Sequence, residues 1–498
     1  MASSEVSRVT RTGKPVQTAI FPKTDANRVI YGHQRQEYWD EVARSPETKG
    51  WNKYYHKRLP KIYQFLVAPG QKIVEVGCGR GDLLAALKPG VGVGIDIAGE
   101  MVRCAAERHP ELRFIQADAH EIQLNESFDV IILSDLINEL WDVQAVFQQL
   151  SKLARPSTRL VLNFYSRLWE VPLGLVRRLG LARPTLHQNW LAVEDVLGLL
   201  RLCDFEVIHH REEVLCPVEI PLVASVANRY LVRFWPFKYL ALTNFIVAQS
   251  RIVEPTVGRR PIVSVIVPAR NEAGNIAEIF ERTPEMGSKT ELIFVEGHST
   301  DATLNEIEAE MTRNPNKLCR LLRQKETGKG DAVRTGFANA RGDILIILDA
   351  DLTVPPEVLP RFLEVLCSGK GEFASGVRLV YPMEKHAMRF FNLLGNKFFS
   401  VAFSWLLGQP IKDTLCGTKV LWKSDYQRIA ANRHYFGDFD PFGDFDLLFG
   451  AAKLNLRIVE IPIRYRNRKY GKTNIRRWSH GWLLLKMAFF AARKIKFV

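Results

Sequence analysis

The 498-residue chain has no stretch of about eighteen uninterrupted apolar residues, which argues against a membrane-spanning helix. Its first 30 residues are polar and basic without an apolar core, so a flexible basic arm is expected there and a secretory signal is not. Cysteine is sparse: seven residues, none in a C-x-x-C pair. That speaks against a disulfide framework or a zinc site and fits a reducing, cytoplasmic compartment. No internal repeat or low-complexity tract is present. Basic residues interleaved with stacking aromatics are also missing, so nucleic acid is not an expected partner, and a nucleic-acid-binding scaffold with vestigial pockets is a remote reading of the formal charge of +14. Acid is absent from Arg464 to Val498, where eleven Lys and Arg supply +11 of that +14 and leave +3 for everything before. With the apolar stretch Trp482 to Phe490 beside them, these cations predict peripheral docking on an anionic membrane surface.

Against these absences stands a dense set of strand-end motifs in the second half. The apolar run Ile344 to Leu348 reads as a buried parallel strand and ends in Asp349-Ala350-Asp351. Ligands of open α/β sheets sit beyond the carboxyl ends of such strands, and paired hard oxygens there suit Mg2+ or Mn2+ holding a diphosphate. Upstream, Ile262 to Pro268 runs into Ala269-Arg270-Asn271-Glu272, and Glu291 to Val295 ends in Glu296-Gly297-His298. Lys325-Glu326-Thr327-Gly328-Lys329-Gly330 is a Gly-flanked turn opening a helix. The alternation is βαβαβ with its chemistry on one edge.

This order resembles the family 2 glycosyltransferases of GT-A fold, especially the polyprenyl-phosphate sugar synthases typified by dolichol-phosphate mannose synthase, over about residues 261 to 475. The resemblance implies that Pro268, Arg270, Glu272 and Glu296 frame the base and ribose of a nucleotide-sugar donor while Asp349 and Asp351 hold the metal, with Asp351 counted among the catalytic residues. Relatives carry two acids where this chain has Glu296-Gly297, which leaves uridine against guanosine open; His298 reads as a turn residue. The segment Asp413 to Lys419 resembles the family's acceptor side, and Arg466 to Thr473 its phosphate-binding element, with Arg466, Arg468 and Lys472 as the cations. Two Gly-Asp-Phe-Asp copies lie between them. If the acceptor is a hydroxyl, Asp444 or Asp446 acts as base; if it is a lipid phosphate, already ionised, both are structural.

The first half carries a second nucleotide-binding signal. A short strand from Gln71 ends in Glu75-Val76-Gly77-Cys78-Gly79-Arg80-Gly81, and later strands end at Asp96 and at Asp118. Glycines let the backbone turn tightly and approach a ligand. The G-x-G-x-G spacing resembles motif I of class I S-adenosylmethionine methyltransferases, over about residues 50 to 250. That resemblance implies a cofactor site of Glu75, Gly77, Gly79, Gly81, Asp96 (ribose) and Asp118 (adenine), with further strands at Phe128 to Ser134 and Arg159 to Phe164 and a last one near Leu240 to Gln249. Asp135, Asn138 and Glu139 follow the fourth strand, where such enzymes place acceptor-side groups. Cys78 and Cys416 read as tolerated small residues.

The expected fold class is therefore α/β with two domains, a Rossmann-like methyltransferase sheet followed by a GT-A glycosyltransferase sheet. The expected boundaries are 1–30 for the arm, 31–254, 261–475, and 476–498 for a basic apolar helix, with the joint in the Pro/Gly/Arg stretch Glu254 to Pro261.

Overall fold

Runs of Val, Ile and Leu in both halves become central strands buried on both faces, as parallel sheets require. The computed structural model describes residues 26–45, 52–179, 185–251, 260–378, 380, 390–432, 444–466, 468, 470 and 477–497. Most of the expected joint (252–259) and Lys472 lie outside these residues, as does the side chain of Asp444.

The first sheet comprises β1 (Lys72–Val76), β2 (Val91–Asp96), β3 (Arg113–Gln116), β4 (Phe128–Ser134), β5 (Ala154–Tyr165), β6 (Phe205–Glu213) and β7 (Thr243–Ser250). Their order is β3-β2-β1-β4-β5-β7-β6, the first five parallel and β7 antiparallel to both neighbours. The strand expected near Leu240 to Gln249 starts and ends later, and it inserts between β5 and β6. Every residue of β7 is buried, so it needs a neighbour on each side. The chain crosses from one side of β1 to the other between β3 and β4, which makes the ends of β1 and β4 the switch point where a ligand crevice opens. The helix Ala26–Arg44 begins inside the segment expected as an arm and packs beside the helix Gly99–Arg108.

The second sheet comprises β8 (Ile262–Ala269), β9 (Lys289–Glu296), β10 (Leu318–Arg323), β11 (Ile344–Ile347), β12 (Phe373–Val377), β13 (Lys419–Trp422) and β14 (Ile458–Pro462). The order is β10-β9-β8-β11-β13-β12-β14, with β13 antiparallel to both β11 and β12. Successive residues of β8 serve opposite faces: Val263, Val265 and Val267 pack with Ile276 and Phe280, and Ile266 packs with Val333 and Phe337. Each such fully buried side chain stabilises by roughly 1.5–3 kcal/mol. Register aligns Ala269 with Glu296 and Glu296 with Arg323, so the three strand ends stand level at one edge.

A polar seam joins the halves. Arg159 of β5 donates from Nε to Asn455 O at 2.9 Å and from Nη2 to Glu372 Oε2 at 2.5 Å. His209 Nε2 lies 2.8 Å from Asn455 Oδ1, and Asn455 Nδ2 donates to Leu66 O at 2.8 Å. Among the described residues no helix is long and apolar enough to cross a membrane.

Candidate functional site

At the end of β1, Gly77, Gly79 and Gly81 all adopt positive φ (76°, 50° and 76°), which glycine reaches without the penalty a Cβ brings. The loop is clasped by Asp96: its Oδ2 accepts from Gly79 N at 2.8 Å and its Oδ1 from Ala98 N at 3.0 Å. Glu75 is buried just before the loop, burial holds its carboxyl well above the usual range, and its Oε2 has no partner among the described residues. Burial also pushes the Cys78 thiol up, away from nucleophilic use.

Asp118 pairs with His120 Nδ1 at 2.6 Å and with Arg28 Nη2 at 3.3 Å. Burial opposes its ionisation, but the bonds from His120 and Arg28 override it and leave its pKa at about 2. The helix Ala26–Arg44 therefore borders the site: Arg28 meets Asp118, and Arg35 Nε lies 3.2 Å from Glu139 Oε2. Neither arginine was expected there from the sequence, since nothing local marks them.

Beyond β4, Asp135 stands at φ 53° with its carboxylate in a cage: Tyr55 Oη donates to it at 2.7 Å and Asn163 Nδ2 at 2.5 Å. Burial raises Asp135 to about 6, against the pull of those two donors. A carboxyl poised there can hold or release a proton near neutral pH. Asn138 instead ties the backbone, accepting from Tyr165 N and donating to Asn189 O.

In the second sheet the expected residues gather around the ends of β8, β9 and β11. Asp349 Oδ1 pairs with Lys329 Nζ at 2.7 Å, and Asp351 Oδ2 with Arg468 Nη2 at 2.8 Å. Arg468 also reaches Glu272 Oε1 at 2.9 Å, so one guanidinium bridges two of the expected site acids. Burial raises Glu272 to about 7; Arg468 pulls it down and the nearby Asp351 charge pushes it up. Asn275 Nδ2 holds its other oxygen at 2.8 Å. Glu296 is buried and accepts from Ser299 N at 2.5 Å, beside His298 in a turn at φ 57°. Pro268 closes the same edge half-buried, while Arg270 projects into solvent. Arg466 is tied by its backbone N to Thr353 O at 2.9 Å, with an exposed side chain.

The segment Asp413 to Lys419 folds against this cluster. Arg378 forks onto Asp413 at 2.7 and 2.8 Å, and Asn396 Nδ2 adds a bond to Asp413 Oδ1 at 3.0 Å. Burial opposes the Asp413 charge, yet these donors hold its pKa at about 2. Thr414 Oγ1, Thr418 Oγ1 and Asn396 Oδ1 are buried without a partner among the described residues. Asp446 is buried in the helix Asp444–Lys453. Arg378 carried no sequence signal, because its partner lies thirty-five positions away.

Residues 264–424 match the family model Glycosyl transferase family 2, and residues 73–157 match a methyltransferase domain model. The chain joins a methyltransferase domain to a family 2 glycosyltransferase domain. Its glycosyltransferase half is 30% identical over 219 residues to a dolichol-phosphate mannosyltransferase of Pyrococcus furiosus, covering 43% of this chain and 59% of that protein. It is 42% identical over 108 residues to the dolichol-phosphate mannosyltransferase of Saccharomyces cerevisiae, covering 21% and 40%. The chain thus spans less than two thirds of the length of either relative. A solved magnesium protoporphyrin IX methyltransferase from Synechocystis aligns at 16% identity and a TM-score of 0.32, over 45% of this chain and 97% of that one.

Asp349 and Asp351 offer hard carboxylate oxygens of the kind Mg2+ and Mn2+ prefer. Among the described residues no cluster of three or more His, Cys, Asp or Glu side chains could cage an ion. The two carboxylates would hold such an ion in place of the cations they face, Lys329 and Arg468.

Proposed function

We propose that the chain is a bifunctional transferase. In this reading residues 261–475 move a sugar from a nucleotide-sugar to a polyprenyl or similar lipid phosphate with inversion, and residues 31–254 move a methyl group from S-adenosylmethionine. The observation that carries the first activity is the charge arrangement at the end of β11, where each carboxylate is paired with a cation at 2.7 or 2.8 Å. Mg2+ or Mn2+ at Asp349 and Asp351 would offset the charge of the departing diphosphate, and Lys329 and Arg468 stand close enough to turn onto the phosphate oxygens. Relatives named as dolichol-phosphate and undecaprenyl-phosphate sugar transferases support a lipid-phosphate acceptor. The orphaned Thr414 and Thr418 hydroxyls support a polar ligand beside the acceptor segment.

An acceptor phosphate oxygen attacks the anomeric carbon from the face opposite the diphosphate, the carbon–oxygen bond to the diphosphate breaks, and the nucleoside diphosphate leaves. An ionised phosphate needs no base. For the methyl half, Gly79 faces open space in which the cofactor would lie beside Asp96, Gly77 and Gly81 let the backbone turn against Leu136 and Phe114, and in this reading the carboxylate of Asp135 takes the acceptor proton as the acceptor–methyl bond forms and the methyl–sulfur bond breaks. In this reading the enzyme works in the cytoplasm, at the membrane face where the lipid resides.

The test incubates the full chain with sugar-nucleotides and polyprenyl phosphate. Product formation that survives Asp444→Asn and Asp446→Asn supports the phosphate acceptor. Loss of turnover in folded variants, with sugar appearing on a hydroxyl, replaces it with the hydroxyl reading.

A further inference from the structure

Four aromatic rings from the two halves close on one another. Phe234 stacks on Trp405 at 5.6 Å between centroids, and Phe497 lies 5.3 Å from Tyr230 and 5.8 Å from Trp405. Arg229 Nε donates to Phe497 O at 3.0 Å. The cluster brings together segment 220–240 of the methyltransferase half, the helix Phe390–Leu407, and the helix Arg477–Ala491 with the turn Ala492–Lys496 that follows it.

Around the cluster, all three segments leave large apolar side chains in solvent. On Phe390–Leu407 the exposed residues Phe398, Val401 and Trp405 recur at i, i+3 and i+7 and so share one stripe, with Val401 68% exposed. The same spacing recurs on Arg477–Ala491 at Trp482, Leu485 and Phe489, while Leu484, Met487 and Ala491 turn inward. Trp482 and Phe489 are 62% and 74% exposed. From the methyltransferase half come Leu222 at 82% and Trp235 at 76%, with Tyr239 beside them. Contiguous apolar surface of this kind marks an interaction site.

Its charge says what covers it. Segments 220–240, 390–407 and 477–497 contain nine Lys or Arg and no Asp or Glu. Arg233 is neutralised by buried Glu213. Others flank the rings: Lys486 lies 5.9 Å from the Trp482 centroid, and Lys238 4.9 Å from that of Tyr239 and 3.8 Å from Glu212. Aromatic rings alternating with cations suit the boundary between acyl chains and anionic headgroups.

We propose that this shared face seats the enzyme on an anionic lipid leaflet, and that segment 220–240 of the methyltransferase half belongs to the footing together with the basic carboxy-terminal helix. The seating is shallow, on the order of 5–10 Å into the headgroup boundary. The inference deepens the lipid-phosphate reading and rests on it for its purpose: Asn396, bonded to Asp413, lies two residues before exposed Phe398, so the footing begins beside the acceptor segment. It also makes the two domains face one membrane together.

Flotation of the full chain with phosphatidylcholine vesicles, with and without about a third phosphatidylglycerol, tests the footing. Neither donor nor acceptor lipid is present, so the outcome is separate from glycosyl transfer. The expected result is binding that needs the anionic lipid and weakens with salt. The variants Trp235→Ser/Tyr239→Ser and Trp482→Ser/Phe489→Ser should each bind about tenfold more weakly, with unchanged Tm because these side chains are exposed. Quenching of tryptophan fluorescence by brominated lipid should fall in Trp235→Phe. Wild-type binding and quenching in the Trp235 variants would confine the footing to the carboxy-terminal helix and overturn the proposal. Equal recovery on neutral and anionic vesicles would overturn it as well. So would a dimer that binds no vesicles and dissociates in Trp235→Ser/Tyr239→Ser, since the face would then be a protein interface.

Discussion

Gly417 and Asp349 approach so closely that a Cβ on Gly417 would stand 2.0 Å from Asp349 Oδ2 and 2.4 Å from Lys329 Nζ. The segment Asp413 to Lys419 thus lies directly on the Asp349–Lys329 pair, and only glycine allows it. Gly417→Ala should force Asp349 or Lys329 aside. Overpacking of this kind costs roughly 1–3 kcal/mol, so sugar-nucleotide turnover should fall roughly 10- to 100-fold. Calorimetric S-adenosylmethionine binding by the same protein should stay unchanged, which separates local damage from misfolding.

Asp351 accepts from Arg468 on one oxygen and from the Thr353 backbone and hydroxyl on the other. Asp351→Asn should lose several kcal/mol of transition-state stabilisation, as expected when a metal stops acting as Lewis acid. Turnover measured in excess chelator should vanish and return with Mg2+ or Mn2+. Full turnover in chelator would remove the metal from the reaction.

Glu272 carries a pH signature. Its folded pKa of about 7 lies above the ordinary value of 4.5, so between those pH values the folded protein holds a proton that the unfolded chain releases. Stability from this group accordingly falls as pH rises from about 4.5 through about 7. Ribose hydroxyls donate best to the ionised carboxylate, so nucleotide-sugar affinity should rise over the upper part of the same window. Titration calorimetry at pH 6, 7 and 8 should show that rise in the wild type and a flat profile in Glu272→Gln, whose Tm at pH 8 should be no lower than wild type.

Gly79→Val would place a branched side chain at φ 50° in the loop after β1. Calorimetry should show S-adenosylmethionine affinity lost while sugar-nucleotide binding persists. Unchanged affinity in a folded variant would refute the cofactor assignment.

Arg159 is buried and bonded to Glu372 and to Asn455 O across the seam. Arg159→Ala takes the guanidinium from Glu372, a half-buried carboxylate that keeps the bond from Arg457 N at 3.0 Å, and removes a donor from Asn455 O, a loss of about 1–3 kcal/mol. Differential scanning calorimetry should show a lowered transition in Arg159→Ala. An unaltered melting profile would mean that the seam adds nothing to the stability of the halves.

Elements with uniform local character were legible in advance. Ile344–Ile347 and Phe128–Ser134 are long apolar runs, and the glycine spacing after β1 meets a backbone need confined to five residues. β6 and β10 carry no such mark, because Phe205–Glu213 ends in His, Arg and Glu, and Leu318–Arg323 carries Arg320 and Arg323. Their polar side chains find partners in distant segments: His209 at Asn455, Arg320 at the Asn339 carbonyl. The helix Arg477–Ala491, apolar all round as a sequence, proves two-sided once Leu484 and Met487 have a core to enter.

The local chemistry of the chain, meaning its strand-end acids, its glycine loops and the excess of cation after Arg464, follows from residue order alone, since hydrophobic periodicity and backbone permission act over a few positions. Which cation meets which acid does not. Lys329 at Asp349, Arg468 between Asp351 and Glu272, Arg378 on Asp413 and Trp405 against Phe234 each join residues brought together only when two sheets pack and their loops return. Those contacts set the charge of the site and expose the apolar face, because pairing energy depends on distance in space, and distance along the chain carries no measure of it.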